Sequence, residues 1–329
     1  MVISKTPLRA SLFGGGTDFK DYWANSRMGY GTVLSAALDM HVYITVNQKF
    51  DDKIRVVYSG NELVDSVDEV KHNIIREALK ITGISKGIEV IYMADIPLSG
   101  AGVGLASSSA LAVGVLNALH AYKGEYVTPE ILAKEACEIE INRLGQQIGI
   151  QDQYAVAYGG FHQYRFYPNG KVSVNPVIGE HNVLETVENN LLMFFTGQTR
   201  DSRQILKEQS STIVDKSGML DELVEITDRI YSEAFRADRI HMIGERLDYA
   251  WQIKKKFATG VSNEVIDEMY SKAKKAGALG GKVLGAGGGG FLLFYVPKES
   301  QDSVRDALKD YREVTFKIDP QGSNIIFSD

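Results

Sequence analysis

The sequence predicts an α+β protein of two domains, and three observations carry that expectation. Strand-like runs rich in β-branched and aromatic residues mix with amphipathic helical stretches, without a strict strand–helix–strand alternation. A chain of 329 residues has the length of about two ordinary domains. A strand-rich first half gives way to a helical second half near residues 176–190, so the domains are placed at 1–183 and 184–329.

Taken in order, Val42–Phe50, Ile54–Ser59 and Ile88–Ala94 read as strands. Ser66-Val-Asp-Glu69 matches a capping box and predicts a helix with Val67, Val70, Ile74 and Ala78 on its apolar face, stopped by Gly83. A second helix begins in Ser107-Ser108-Ser109 and runs to about Tyr122. A third starts at Thr128, with Pro129 in its first turn, and stops at Gly145. Strands return at Gly160–Tyr167 and Lys171–Asn175 around a Pro168-Asn169-Gly170 turn. Strand Leu191–Thr196 precedes helices near Met219–Ala237, Ile240–Phe257 and Asn263–Ala276. Strands Phe291–Val296, Val314–Ile318 and Asn324–Phe327 close the order.

Composition narrows the functional classes. With 44% hydrophobic and 24% charged residues the chain can bury a proper core without a staple. A net charge of −6 gives no electrostatic reason to expect nucleic acid or an anionic membrane as partner. One cysteine, Cys137, excludes an internal disulfide framework and a cysteine-cluster metal site. The N-terminus lacks the basic head and apolar run of a secretory signal. Runs such as Leu191–Phe195 and Phe291–Val296 fall far short of the roughly 20 residues that span a bilayer. A cytoplasmic location is expected.

The 32 glycines bunch at Gly14–Gly16, Gly100–Gly104 and Gly285–Gly290. Gly285-Ala-Gly-Gly-Gly-Gly290 matches a dinucleotide fingerprint by letter, but that fingerprint needs a following helix to hold the pyrophosphate, and here a strand follows. The NAD reading loses its mechanism. By contrast, Gly102-Val-Gly104-Leu105-Ala106-Ser107-Ser108-Ser109 leads a glycine loop into a helix start, where unpaired N–H groups and the helix dipole favour phosphate. The serines add donors and an Mg²⁺ ligand; no lysine precedes them, so this is not a Walker loop. Glu140, near the end of the third helix, and Asp152, in the loop that follows it, can divide metal binding and orientation of an attacking hydroxyl between them. Periodicity leaves Glu138 and Glu140 equally placed. Arg9 and Gly14-Gly15-Gly16-Thr17-Asp18 supply turn residues able to bind sugar hydroxyls.

Together these segments resemble the GHMP kinases, the family of galacto-, homoserine, mevalonate and phosphomevalonate kinases. The resemblance rests on Thr6-Pro-Leu-Arg9 through Gly14-Gly-Gly-Thr17-Asp18, on Gly102–Ala110, on Gly149-Ile-Gln-Asp152-Gln153 and on Gly285–Gly290. Within the family, Phe195-Thr-Gly-Gln-Thr-Arg200 and Gln151-Asp-Gln-Tyr-Ala155 look most like kinases of heptose phosphate and of fucose. The resemblance implies an N-terminal domain like the second domain of ribosomal protein S5 and a ferredoxin-like C-terminal domain. It also implies ATP and Mg²⁺ as cofactors and phosphorylation of an anomeric hydroxyl, with D-glycero-D-manno-heptose 7-phosphate as acceptor. A non-phosphorylated sugar such as L-fucose or a uronic acid, or a non-catalytic regulator of the same fold, are the alternatives.

By motif position, Gly102, Gly104, Leu105, Ala106, Ser107, Ser108 and Ser109 would wrap the nucleotide phosphates. Ser108 and Glu140 would hold Mg²⁺, Asp152 would accept or orient the hydroxyl proton, and Arg9 would support the transferring group. Gly15, Gly16, Thr17 and Asp18 would bind the acceptor, with Gly287, Gly288 and Gly289 as the floor between the two substrates. Arg200 and Arg203 are offered as an arginine fork for the acceptor's own phosphate. Two departures stand out. Gly15-Gly16 replaces the Glu-His of galactokinases, and Ala106 replaces a glycine where positive φ is wanted.

Overall fold

The computed structural model describes residues 1–96, 104–180, 182–199 and 203–329, with Arg203 described by its backbone alone. The chain begins with β1 (Val2–Phe13), buried at every position from Thr6 onward, followed by the short helix α1 (Lys20–Trp23) and the 18-residue strand β2 (Gly31–Gln48). The hairpin β3 (Ile54–Val57) and β4 (Asn61–Val64), helix α2 (Asn73–Thr82) and strand β5 (Ile88–Ala94) come next. Helices α3 (Ser107–Tyr122), α4 (Pro129–Cys137) and α5 (Gln151–Tyr158) precede β6 (Phe161–Phe166) and β7 (Val172–Pro176). The remainder runs α6 (Val183–Asn189), β8 (Leu191–Phe195), α7 (Arg203–Thr212), α8 (Ser217–Glu233), α9 (Met242–Lys254) and α10 (Glu264–Lys275). Strands β9 (Gly280–Val283) and β10 (Phe291–Tyr295), helix α11 (Gln301–Ala307) and strands β11 (Arg312–Glu313) and β12 (Asn324–Ser328) complete it.

Among the described residues two sheets form. The first runs β12-β1-β2-β5-β3-β4, with β6 and β7 continuing from the other end of β2; the second runs β11-β8-β10-β9. Only β3–β5 is parallel. The class is α+β, as the sequence predicts. Helix α3 lies on β1 and β2 and is buried along most of its length, which fits its run of Ala, Val and Leu. Gly114 lets it approach: a Cβ there would stand 2.9 Å from Thr6 Oγ1, and Ser4 Oγ donates to the Gly114 carbonyl at 2.8 Å. The last strand returns to the first, with Val2 opposite Ser328 and the Asp329 amide bonded to the Met1 carbonyl at 3.1 Å. Among the described residues no helix is long and apolar enough to cross a membrane.

Three expectations need correction. The capping box at Ser66 opens only a 3-10 turn, Val67–Glu69, and Ser66 Oγ bonds the Glu69 carboxylate itself. The Glu62 carboxylate captures the Lys71 and His72 amides, so the chain breaks there and α2 starts afresh at Asn73. Val314–Ile318 forms no strand: its amides reach separate elements, Met193 O, Asp39 Oδ1 and Glu188 Oε2, and its sheet pairing among the described residues is a lone antiparallel bridge from Ile318 to Leu38. Asp152 lies in the first turn of α5 rather than in a loop.

Candidate active site

The described parts of the three glycine loops meet at one cleft of about 890 Å³. At its centre Arg9, carried on β1, grips Asp152 with two parallel bonds, Nε to Oδ1 at 2.8 Å and Nη2 to Oδ2 at 2.7 Å. The Arg9 side chain is 4% exposed and that of Asp152 is 24% exposed, so the carboxylate reaches the cleft while its partner is sealed behind it. Arg9 also ties down the phosphate loop: Nη1 donates to Gly104 O at 2.6 Å and the backbone amide to Leu105 O at 3.1 Å. Gly104, at φ +84°, packs on the third loop so closely that a Cβ would meet Leu284 O at 2.3 Å.

Loop and helix join at Ala106, which adopts φ 62° and ψ 34°. The left-handed conformation expected of a glycine is therefore kept by alanine, at a cost of about 1–2 kcal/mol. Ser107 and Ser108 line the cleft at the N-terminus of α3, while Ser109 turns inward to Glu140. Leu105 is wholly buried and belongs to the core.

Glu140 is fully buried, whereas Glu138 is 43% exposed on the surface. A π-helical turn, Glu138–Arg143, shifts the phase of the chain after α4 and turns Glu140 inward. Its Oε2 accepts from Ser109 Oγ at 2.7 Å and from Gln153 Nε2 at 2.6 Å, while Oε1 has no partner among the described residues. Burial pushes its proton affinity up, against the pull of those donors and of Ser108. The Ser107 hydroxyl is likewise buried without a partner among the described residues. Among the described residues no group of three His, Cys, Asp or Glu could hold a metal. One unpaired carboxylate oxygen beside serine hydroxyls suits a hard cation that shares its shell with substrate phosphates.

On the acceptor side, Asp18 is buried beneath Gly149, whose missing side chain makes the room. Asp18 Oδ1 accepts from the Gly16 amide at 2.9 Å and Oδ2 from the Gln151 amide at 3.4 Å. Burial raises its pKa, and the neighbouring Asp152 charge raises it further. Gly15, Gly16, Gly287 and Gly289 line the cleft. Gly288 instead bonds Val261 O through its amide at 2.9 Å. Thr17 is also turned away: its buried hydroxyl cross-links Gly14 O, Thr32 O and the Thr32 amide. Gly102 and Arg200 lie outside the described residues, as does the side chain of Arg203, whose backbone opens α7.

Several cleft residues escaped the sequence reading. Lys254, at the end of α9, is 8% exposed and donates to Gly285 O at 2.5 Å. Burial and the nearby Arg9 push its pKa down to about 8. Lys282 on β9 is buried behind it, donates to Ser11 O at 2.6 Å, and is held well below the ordinary lysine range by burial and by Lys254. Lys254 falls on the stripe of Ile243, Leu247 and Ala250, and a lysine on an apolar face was the signal available. Tyr58, His72 and Tyr92 also line the cleft, with the Tyr58 and His72 rings edge to face at 4.9 Å.

The chain is similar to proteins of one known family. Residues 68–160 match the model for the GHMP kinases N-terminal domain and residues 231–313 that for the GHMP kinases C-terminal domain. The D-glycero-alpha-D-manno-heptose 7-phosphate kinase of Campylobacter jejuni is 31% identical over 93% of this chain and 92% of its own. The bifunctional fucokinase/GDP-fucose pyrophosphorylase of Arabidopsis thaliana is 25% identical over 95% of this chain, which spans only 31% of that protein. A crystal structure of a D-glycero-D-manno-heptose 1-phosphate kinase from Bacteroides thetaiotaomicron superposes with a TM-score of 0.79 at 25% identity, covering 100% of both chains.

Proposed function

This chain belongs to the GHMP kinases and is a sugar kinase, and from that premise we propose that it transfers the γ-phosphoryl group of ATP to the anomeric hydroxyl of D-glycero-D-manno-heptose 7-phosphate. The observation that carries the reading is the Arg9–Asp152 pair, set where the phosphate loop meets the acceptor-side loop. The name of the Campylobacter jejuni relative supports the phosphorylated acceptor.

In this reading the triphosphate lies against the N-terminus of α3, where the Ser107 and Ser108 amides and hydroxyls meet it with the positive end of the helix dipole. The adenine base takes the part of the cleft lined by Tyr58, His72 and Tyr92. Glu140 and Ser108 would hold Mg²⁺, whose charge would offset that of the phosphates. Arg9 occupies one face of the Asp152 carboxylate and fixes its direction. The remaining lone pairs receive the proton of the acceptor hydroxyl, placing its oxygen in line with the γ-phosphorus. Asp18 receives other hydroxyls of the sugar. The acceptor's own phosphate is assigned to the arginine pair Arg200 and Arg203, joined by Lys207, which lines the cleft from α7.

The test is ADP release from ATP and Mg²⁺ with the heptose 7-phosphate, mannose 6-phosphate, fucose, galactose and glucuronate, run beside Asp152→Asn. Turnover on the heptose phosphate, lost in the variant, is expected. Turnover confined to a non-phosphorylated sugar would discard the acceptor-phosphate contacts. Silence on every sugar would refute the reading.

A further inference from the structure

We propose that Ser11, Gln151 and Lys254 form a notch beside Gly15 that receives one hydroxyl oxygen of the acceptor sugar, so that Gly15 determines which sugars enter. The inference rests on the sugar-kinase reading above and deepens it. A Cβ built on Gly15 would stand 3.8 Å from Gln151 Nε2, 3.8 Å from Ser11 Oγ and 4.0 Å from Lys254 Nζ. Those are ordinary contact distances, so one heavy atom fits where glycine has no side chain. An oxygen seated slightly deeper comes within hydrogen-bonding reach of all three groups.

The three side chains arrive from β1, α5 and α9, and all are more than nine-tenths buried, at 3%, 9% and 8% exposure respectively. Ser11 Oγ has no hydrogen-bond partner among the described residues, and Gln151 turns its Nε2 donor toward Gly15. Buried polar atoms are almost always paired, and an unpaired hydroxyl beside two nitrogen donors at a substrate cleft points to a ligand that pairs it. Lys254 spends one of its three N–H donors on Gly285 O and keeps the others. The Ser11 backbone is pinned from behind by Lys282, so its hydroxyl is held in place. Gly15, Ser11, Gln151 and Lys254 line the same cleft as Asp152 and Asp18. The burial that lowers the proton affinity of Lys254 marks an ammonium short of acceptors, which a sugar oxygen relieves.

The test is Gly15→Ala. Gly15 is not among the positive-φ residues, so alanine fits its backbone as well as its space, unlike Gly16 at φ +108°. The variant is expected to melt at or above the wild-type temperature and to keep its KM for ATP. Its KM for the acceptor should rise at least about tenfold, because the methyl group takes the place of the oxygen. Ser11→Ala should raise the acceptor KM as well. An unchanged acceptor KM in Gly15→Ala, with the wild type active, overturns the notch and leaves the kinase reading standing. So does a parallel rise in both KM values with a lowered melting point. A wild type inactive on every sugar overturns both.

Discussion

Replacing Lys254 by methionine should make the protein more stable at neutral pH and less active, and the expected magnitude follows from the structure. Burial and Arg9 lower the lysine's pKa from 10.5 to about 8. At about 1.36 kcal/mol per decade of proton affinity, holding Lys254 charged in the folded state costs about 3 kcal/mol at pH 7, as an upper bound. Losing its bond to Gly285 O gives back about 1–1.5 kcal/mol. Lys254→Met is therefore expected to be about 1–2 kcal/mol more stable at pH 7. Between about pH 8 and 10.5 the unfolded chain holds the Lys254 proton that the folded protein has released, so wild-type stability gains from this residue as pH rises. Near pH 10 the advantage should vanish or reverse. Urea denaturation of both proteins at pH 7 and pH 10 reads the difference, in which all other titrations common to the two cancel. A variant less stable at pH 7, or an equal difference at both pH values, would refute the reasoning.

Asp152→Asn should lower kcat by about 10²–10⁴-fold in a coupled ADP assay, with the KM for ATP little changed. Ala106→Gly relieves the left-handed strain at φ 62°; after the entropy cost of glycine in the unfolded chain it should gain about 0.5–1 kcal/mol, read by thermal melting. Glu140→Gln removes a buried charge without changing shape, and should raise the Mg²⁺ concentration for half-maximal rate at least about tenfold while the melting point holds or rises.

What the sequence made legible was local chemistry. Gly102–Ser109 announced a phosphate loop because glycine and serine before an apolar helix have few other uses, and the described part of that loop, from Gly104, faces the cleft. Thr128 with Pro129 marked a helix start, and Thr128 Oγ1 does accept from the Ile131 amide. What escaped depended on tertiary contact. Glu138 and Glu140 were indistinguishable while a regular helix was assumed, since a π turn leaves no clear mark in residue pattern. The break before α2 is made by Glu62, nine residues from the Lys71 amide it captures. Val314–Ile318 has strand chemistry, yet among the described residues its pairing stops at a lone bridge from Ile318 to Leu38. Thr17 reads as a ligand-binding residue beside a glycine turn, yet its hydroxyl is consumed in holding that turn together.

The pairing of β12 with β1 fixes how the molecule bears a load. Residues 1 and 329 lie side by side, and the antiparallel register places Val2 opposite Ser328. Tension applied between the two ends would peel this ladder one rung at a time, the weakest geometry a sheet can offer to force. The peel has only four rungs to travel, because β12 faces Val2 to Lys5 and no further. Arg9 stands beyond that reach, on a stretch of β1 still laced to β2 at Ala37. The clamp on Asp152 is thereby mechanically insulated, and its grip survives the loss of the strand nearest the ends.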